Sequence, residues 1–225
     1  MTNRIEDFDV STVCAFGSPN LEFGNPVGII IDEQNRLNPS QRQKIAKELN
    51  CSETVFIDDA ARGFDSIFNP ILPVEFSGHA LLGTAWFLYH ETNNSPETLT
   101  CANRTVFIYQ DDFFWIRGPL AITPNWNHVR LRDANEVESL DEKTTQSYKH
   151  TVVWAWLDEA KKIIRARTFA PDWCIPEDEA NGSGSMQLAS QLSSEITVLH
   201  GKGSIIHAKP HDAEYVDIGG VCYVL

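Results

Sequence analysis

FSGHALLGTAWFLYH, residues Phe76–His90, is apolar on almost every side from Ala80 onward. A helix without a polar face must be enclosed by other structure, and a sheet wrapped around it supplies that cover. Its entrance is polar: a glycine, Gly78, followed by a titratable ring, His79. EDEANGSGSMQLASQL, residues Glu177–Leu192, repeats the plan of a small polar turn opening into an apolar helix. Gly78 and Gly182 stand at matching points, 104 residues apart in a chain of 225. The spacing predicts two similar α/β halves, each with a helix inside a sheet.

The flanking patterns supply the strands. DVSTVCAF (9–16) and VGIIID (27–32) read as strands, the second buried. LNPSQRQKIAKELN (37–50) predicts a helix with Asn38 as cap, Pro39 at its first position, an Ile45/Leu49 pair and Asn50 as its end. TVFID (54–58) is a strand, with Glu53 on the short connection leading into it, and RGFDSIFNP (62–70) is another. Residues 105–118 predict a hairpin turning at Gln110–Asp112. Residues 121–150 are polar with weak periodicity, and are expected to hold a helix with flanking loops and the link between halves 1–118 and 119–225. TVVWAWLD and KIIRARTFAP are strands, a helix follows over Ser183–Leu192, and the C-terminal stretch predicts four short strands. The last two would be joined by a hairpin at Gly219 and Gly220, the final strand crossing back to the first half.

A net charge of −13 repels phosphate backbones and anionic lipid, so neither nucleic acid nor a membrane surface is an expected partner. Apolar runs fall short of the roughly 20 residues that span a bilayer, and the acids in MTNRIEDFDV do not suit a signal peptide. Five separated cysteines without C-x-x-C point to reduced thiols in a cytoplasmic protein. Cys174 reads as structural, and His200, His207 and His211 as surface histidines with no evident metal set. GSGS at 182–185 lacks the lysine of a phosphate loop, so neither ATP nor NAD is indicated, and no cofactor or metal is expected.

Helix N-termini carry unpaired N–H groups and the positive dipole end, and glycine there lets a ligand reach the backbone. Two such ends facing each other would hold a carboxylate, with Gly78, Gly182 and Ser183 as its contacts. His79, in a first turn and buried, is expected to be neutral. Glu53, flanked by apolar residues, is a candidate acid for proton transfer. Asp178 is either a third acid or a helix cap.

Taken as a set, FGNPVGIIID, IAKELNCSETVFID, LPVEFSGHALLGTAW, RTFAPDWCIPEDEANGSGS and VDIGGVCYVL resemble the phenazine-biosynthesis-like (PhzF-like) isomerase family over most of the chain, least between about 90 and 150. The resemblance implies a diaminopimelate-epimerase-like fold: two α/β halves, each a mostly antiparallel curled sheet around a central helix, with the site in the cleft between them. It implies a homodimeric, cofactor-independent isomerase that moves a proton on a small carboxylate-bearing molecule. Glu53 would be the main proton shuttle, with His79 and Asp178 assisting, and backbone amides around Gly78, Gly182 and Ser183 would hold the substrate anion. Related racemases of this fold carry a cysteine at each helix start; Gly78-His79 and Gly182-Ser183 here disfavour a two-thiol mechanism. The chain departs from the family at Ala80, Glu179 and Asn181. A negative Glu179 beside the pocket is expected to raise neighbouring carboxylate pKa values or reject a highly anionic substrate. The competing reading is a binding or partner protein that has kept the fold with little or no turnover.

Overall fold

The computed structural model describes residues 3–5, 8–58, 66–92, 96–101 and 103–225. β1 (Asn3–Ile5), β2 (Phe8–Gly17) and β3 (Asn25–Ile31) lead into α1 (Pro39–Leu49), then β4 (Glu53–Ile57), β5 (Ser66–Phe68), β6 (Pro73–Val74) and the long helix α2 (Gly78–Glu91). β7 (Thr98–Cys101), β8 (Arg104–Gln110) and β9 (Phe114–Pro119) form a meander, followed by β10 (Asn127–Arg130) and the short helices α3 (Ala134–Glu138) and α4 (Glu142–Thr145). The chain ends with β11 (Thr151–Asp158), β12 (Ile163–Ala170), β13 (Ile175–Asp178), α5 (Gly182–Leu192), β14 (Ile196–His200), β15 (Ser204–Pro210) and β16 (Tyr215–Val224). Of the strand expected over 62–70, residues 66–68 form β5, and 62–65 lie outside the described residues.

Local chemistry sets the element ends. Asn38 and Gln41 close a reciprocal capping box at the start of α1, and Asn50 ends it in the left-handed region at φ 50°. α2 needs no amphipathic face, because β2, β3, β4, β9 and β16 pack around it and bury it from Gly78 to Ala85. α5 lies on β15 and β16.

The strands hydrogen-bond in the order β10-β11-β12-β14-β15-β16-β2-β3-β4-β5-β6, mostly antiparallel. β3 and β4 are parallel, which starts both at the same end of the sheet and places Asn25 and Glu53 there together. β16 pairs with β9 and β15 along Tyr215–Gly220 and then with β2 along Val221–Val224. No turn therefore occurs at Gly219 and Gly220. A Cβ on Gly219 would stand 2.5 Å from the Trp115 ring, so the pair serves close packing inside one ten-residue strand. The polar 121–150 segment hides β10, a parallel partner of β11, beside the two short helices. Its four residues, exposed at both ends, are too few and too polar to show a period.

Candidate active site

Two helix starts meet at the centre of the molecule. A Cβ on Gly78 would lie 2.7 Å from Ile218 Cδ1 and 3.3 Å from Gly182 Cα, and one on Gly182 would lie 3.1 Å from both Ile218 and Phe16. Glycine at both positions is what allows α2 and α5 to approach end to end. Ser77 caps α2, its hydroxyl accepting from Ala80 N, and Asn181 caps α5, its Oδ1 accepting from Gly184 N at 2.6 Å.

All six residues singled out from the sequence, Glu53, Gly78, His79, Asp178, Gly182 and Ser183, line one cavity of about 450 Å³. Glu53 is the first residue of β4, and its carboxylate touches Nε2 of His79; their side chains are 12% and 8% exposed. Asp178 ends β13. It is not the cap of α5 but is held from three sides: Asn25 Nδ2 at 2.7 Å and Ala180 N at 3.3 Å on Oδ1, and Asn181 Nδ2 at 2.9 Å on Oδ2. Ser183 accepts from Trp126 Nε1 at 2.8 Å. Gln187 of α5 fixes the segment bearing Trp126 by donating to Thr123 Oγ1 at 2.8 Å and Pro124 O at 2.7 Å.

The expectation of a neutral His79 is corrected by its neighbours. Burial does oppose the imidazolium, but the Glu53 carboxylate on Nε2 and the Asp178 charge nearby outweigh it and raise the pKa above the ordinary histidine value. At the other ring nitrogen, Nδ1, stand Ser77 Oγ at 3.4 Å and Asn25 Nδ2 at 3.5 Å. A protonated histidine between two carboxylates is a compact proton-handling group.

Three further expectations change. The Glu179 carboxylate points away from the cavity, accepting from Lys202 N at 2.9 Å, Gly203 N at 3.2 Å and Ser204 Oγ at 2.8 Å, so it does not face the carboxylates of the site. His200 is 1% exposed rather than on the surface. Its Nδ1 donates to the Glu179 carbonyl at 2.9 Å, so Nε2 accepts from Thr168 Oγ1 at 2.9 Å, and burial lowers its pKa. Cys174, read as structural, is exposed and lines the cavity. Asn25 and Trp126 were not foreseen as site residues; for Asn25 the signal was a lone amide between glycine and proline at the head of an apolar strand.

Carboxylates line the cavity at Glu53, Glu75, Asp172 and Asp178, whereas no lysine or arginine among the described residues does. The helix starts offer negative ligand groups backbone N–H donors and the positive ends of two dipoles. Among the described residues, no group of three or more His, Cys, Asp and Glu side chains is arranged to hold a metal ion. No helix among them is long and apolar enough to cross a membrane.

The profile of the family described as Phenazine biosynthesis-like protein matches residues 13–107, the stretch that contains Asn25, Glu53, Gly78 and His79. Over most of its length, the chain is 39% identical over 227 residues to a trans-2,3-dihydro-3-hydroxyanthranilate isomerase of Pseudomonas aeruginosa, covering 84% of this chain and 81% of that one. The chain belongs to the phenazine biosynthesis-like family. A second trans-2,3-dihydro-3-hydroxyanthranilate isomerase, from Pseudomonas fluorescens, is 45% identical over 83 residues, and there the chain spans 36% of its own length and 29% of the relative's. The crystal structure of a PhzF-family phenazine biosynthesis protein from Enterococcus faecalis superposes with a TM-score of 0.78 over 97% of this chain and 96% of that one, at 19% identity. The α/β fold expected from the sequence is the fold of this family.

Proposed function

We propose that this member of the family is an isomerase that moves a proton between two positions of a small carboxylate-bearing metabolite, by general acid–base catalysis and without a cofactor. The observation that carries the reading is the contact between Glu53 and His79 at the wall of a cavity onto which two helix starts open. The caps engage the Ala80 and Gly184 N–H groups. That leaves the N–H groups of Gly78, His79, Gly182 and Ser183, among those without an intrahelical acceptor, for a substrate carboxylate.

With the anion held there, Glu53 takes a proton from one substrate carbon and delivers one to another. His79, protonated between Glu53 and Asp178, stabilises the negative charge that develops between the two transfers. Atoms balance with no oxidant or co-reactant, since one proton leaves a carbon and one is delivered to another, the proton on the Glu53 carboxyl exchanging with solvent between the two transfers. The cleft lies between halves 1–118 and 119–225, and the active form is a homodimer, which size-exclusion chromatography with light scattering would establish.

The test is incubation with a panel of small cyclic and unsaturated carboxylic acids in deuterated water, following label at carbon. Incorporation that falls by about 10²-fold or more in Glu53→Gln is the expected result. Thermal stabilisation by the same acids with no label at any carbon would instead identify a binding protein of this fold.

A further inference from the structure

Beside the cavity, a ring of bonds joins its two walls. Asp178 accepts from Asn25 Nδ2 at 2.7 Å, and Asn25, the first residue of β3, follows Gly24 at the end of the turn from β2. Gly24 N donates to Ser204 Oγ at 2.9 Å. The Ser204 hydroxyl in turn donates to Glu179 Oε1 at 2.8 Å, and Glu179 is the residue after Asp178. The circuit closes through two peptide linkages and three hydrogen bonds: Gly24 N–H to Ser204 and Ser204 to the Glu179 carboxylate on one side, and Asn25 to the Asp178 carboxylate on the other.

The same two turns are fitted to each other. Gly24 has φ +87°, and a Cβ there would stand 2.7 Å from Ala15 O, so glycine is required. A Cβ on Gly203 would stand 2.4 Å from the Phe23 ring, so the ring lies directly on the β14–β15 turn. Tyr223 donates to Phe23 O at 2.7 Å from the end of β16. Ser204 itself is fully buried. A buried hydroxyl that must both accept and donate has one orientation, which makes the link directional and sensitive to loss of either partner.

We propose that Ser204 and Glu179 are positioning residues: they latch the start of β3, which carries Asn25, to the end of β13, which carries Asp178, and so set the alignment of Asp178 against His79. Neither touches the cavity. His200 supports the latch from below by donating to the Glu179 carbonyl at 2.9 Å.

The inference rests on the reading of Glu53, His79 and Asp178 as the working set, but its test reads the geometry of that set and not turnover. The charged groups acting on His79 are Glu53 of β4 and Asp178 of β13; β2, β3, β9 and β16, which also pack on α2, add none. When the latch is cut, Asp178 loses its fixed place and one of the two charges favouring the imidazolium weakens.

The experiment is NMR titration of the His79 ring in protein with labelled histidine, assigned with His79→Gln, together with hydrogen exchange at the Gly24 amide. In Ser204→Ala and in Glu179→Ala the His79 midpoint moves to lower pH and Gly24 exchanges on the order of 10-fold faster, while Ser204→Thr, which keeps the hydroxyl, returns both toward wild type. An unmoved His79 midpoint in both alanine variants, or a fall that the threonine variant does not restore, overturns the proposal. Should Ser204→Ala not fold, Glu179→Ala carries the test alone, and an unmoved His79 midpoint in it overturns the proposal. Loss of deuterium incorporation with an unmoved midpoint sinks the latch alone, and a shifted midpoint in a protein that exchanges no substrate sinks the isomerase reading alone.

Discussion

At the scale of single residues, the site is governed by how charge is distributed around one ring. The folded pKa of His79 lies above its ordinary value of 6.5, because the Glu53 and Asp178 carboxylates more than offset burial. Its contribution to stability is therefore full below the ordinary value and disappears as pH rises through the folded value. Glu53→Gln removes a hydrogen bond and a charge from that pair, and is expected to destabilise the protein by about 1–3 kcal/mol near pH 6. The gap to wild type should narrow as pH rises through the folded value and His79 loses its proton; denaturant midpoints measured over a series of rising pH values check this. Cys174 offers a second prediction. Cys14, Cys51, Cys101 and Cys222 are buried, and Cys174 alone of the five is exposed. A thiol reagent such as DTNB should titrate one equivalent in the folded protein and five in denaturant, with Cys174→Ser abolishing the fast reaction. Because Cys174 lines the cavity, a bulky maleimide on it should block ligand-induced thermal stabilisation.

At the scale of elements, the decisive geometry is the end-to-end approach of α2 and α5. Replacing glycine in a helix normally gains up to about 1 kcal/mol, less at a terminus, whereas forced overpacking costs about 1–3 kcal/mol. With Ile218 Cδ1 2.7 Å and Gly182 Cα 3.3 Å from the added methyl, the second effect wins for Gly78→Ala. The variant should lose about 1–2 kcal/mol. Adding Ile218→Val, which deletes the colliding Cδ1, should recover part of the loss in a double-mutant cycle. This arrangement was legible because its signals are local: a helix with no polar face, glycine at each entrance, and Asn38-Pro39 and Asn50 bracketing α1. What was not legible depends on distant partners. The ring of Trp115 against Gly219 turns an apparent hairpin into a continuous strand, and the acceptors around Glu179 draw its side chain away from the cavity. Trp126 reaches Ser183 only because Gln187 of α5 holds the intervening segment, and nothing near Trp126 in the chain announces that bond. The protonation state of His79 failed for the same reason: burial and a helix end are readable locally, a carboxylate from another strand is not.

At the scale of the molecule, the question is whether the parts unfold together. One hydrophobic cluster contains Leu81, Leu82 and Leu88 of α2 together with Met186, Leu188 and Ala189 of α5, and β16 contributes strand pairing to both stretches of sheet through a single run of backbone. Ile218 sits at the crossing, fully buried, paired with Ile116 and Ala208 and touching the start of each helix. Coupling of this kind opposes independent melting, because exposing either helix strips contacts from the other. Urea unfolding should therefore be one transition, with tryptophan fluorescence and far-ultraviolet circular dichroism superimposing. The tryptophans report well, since Trp86 lies on α2 whereas Trp126 and Trp154 lie on the α5 side of the chain. Ile218→Ala should lower stability by about 2–5 kcal/mol, the range for truncating a large buried aliphatic side chain. It should shift both probes by the same amount and leave the slope unchanged. Two separated transitions, or fluorescence and dichroism curves that part in Ile218→Ala, would show instead that the sheet around each helix is a unit of its own and that β16 is a tether between them.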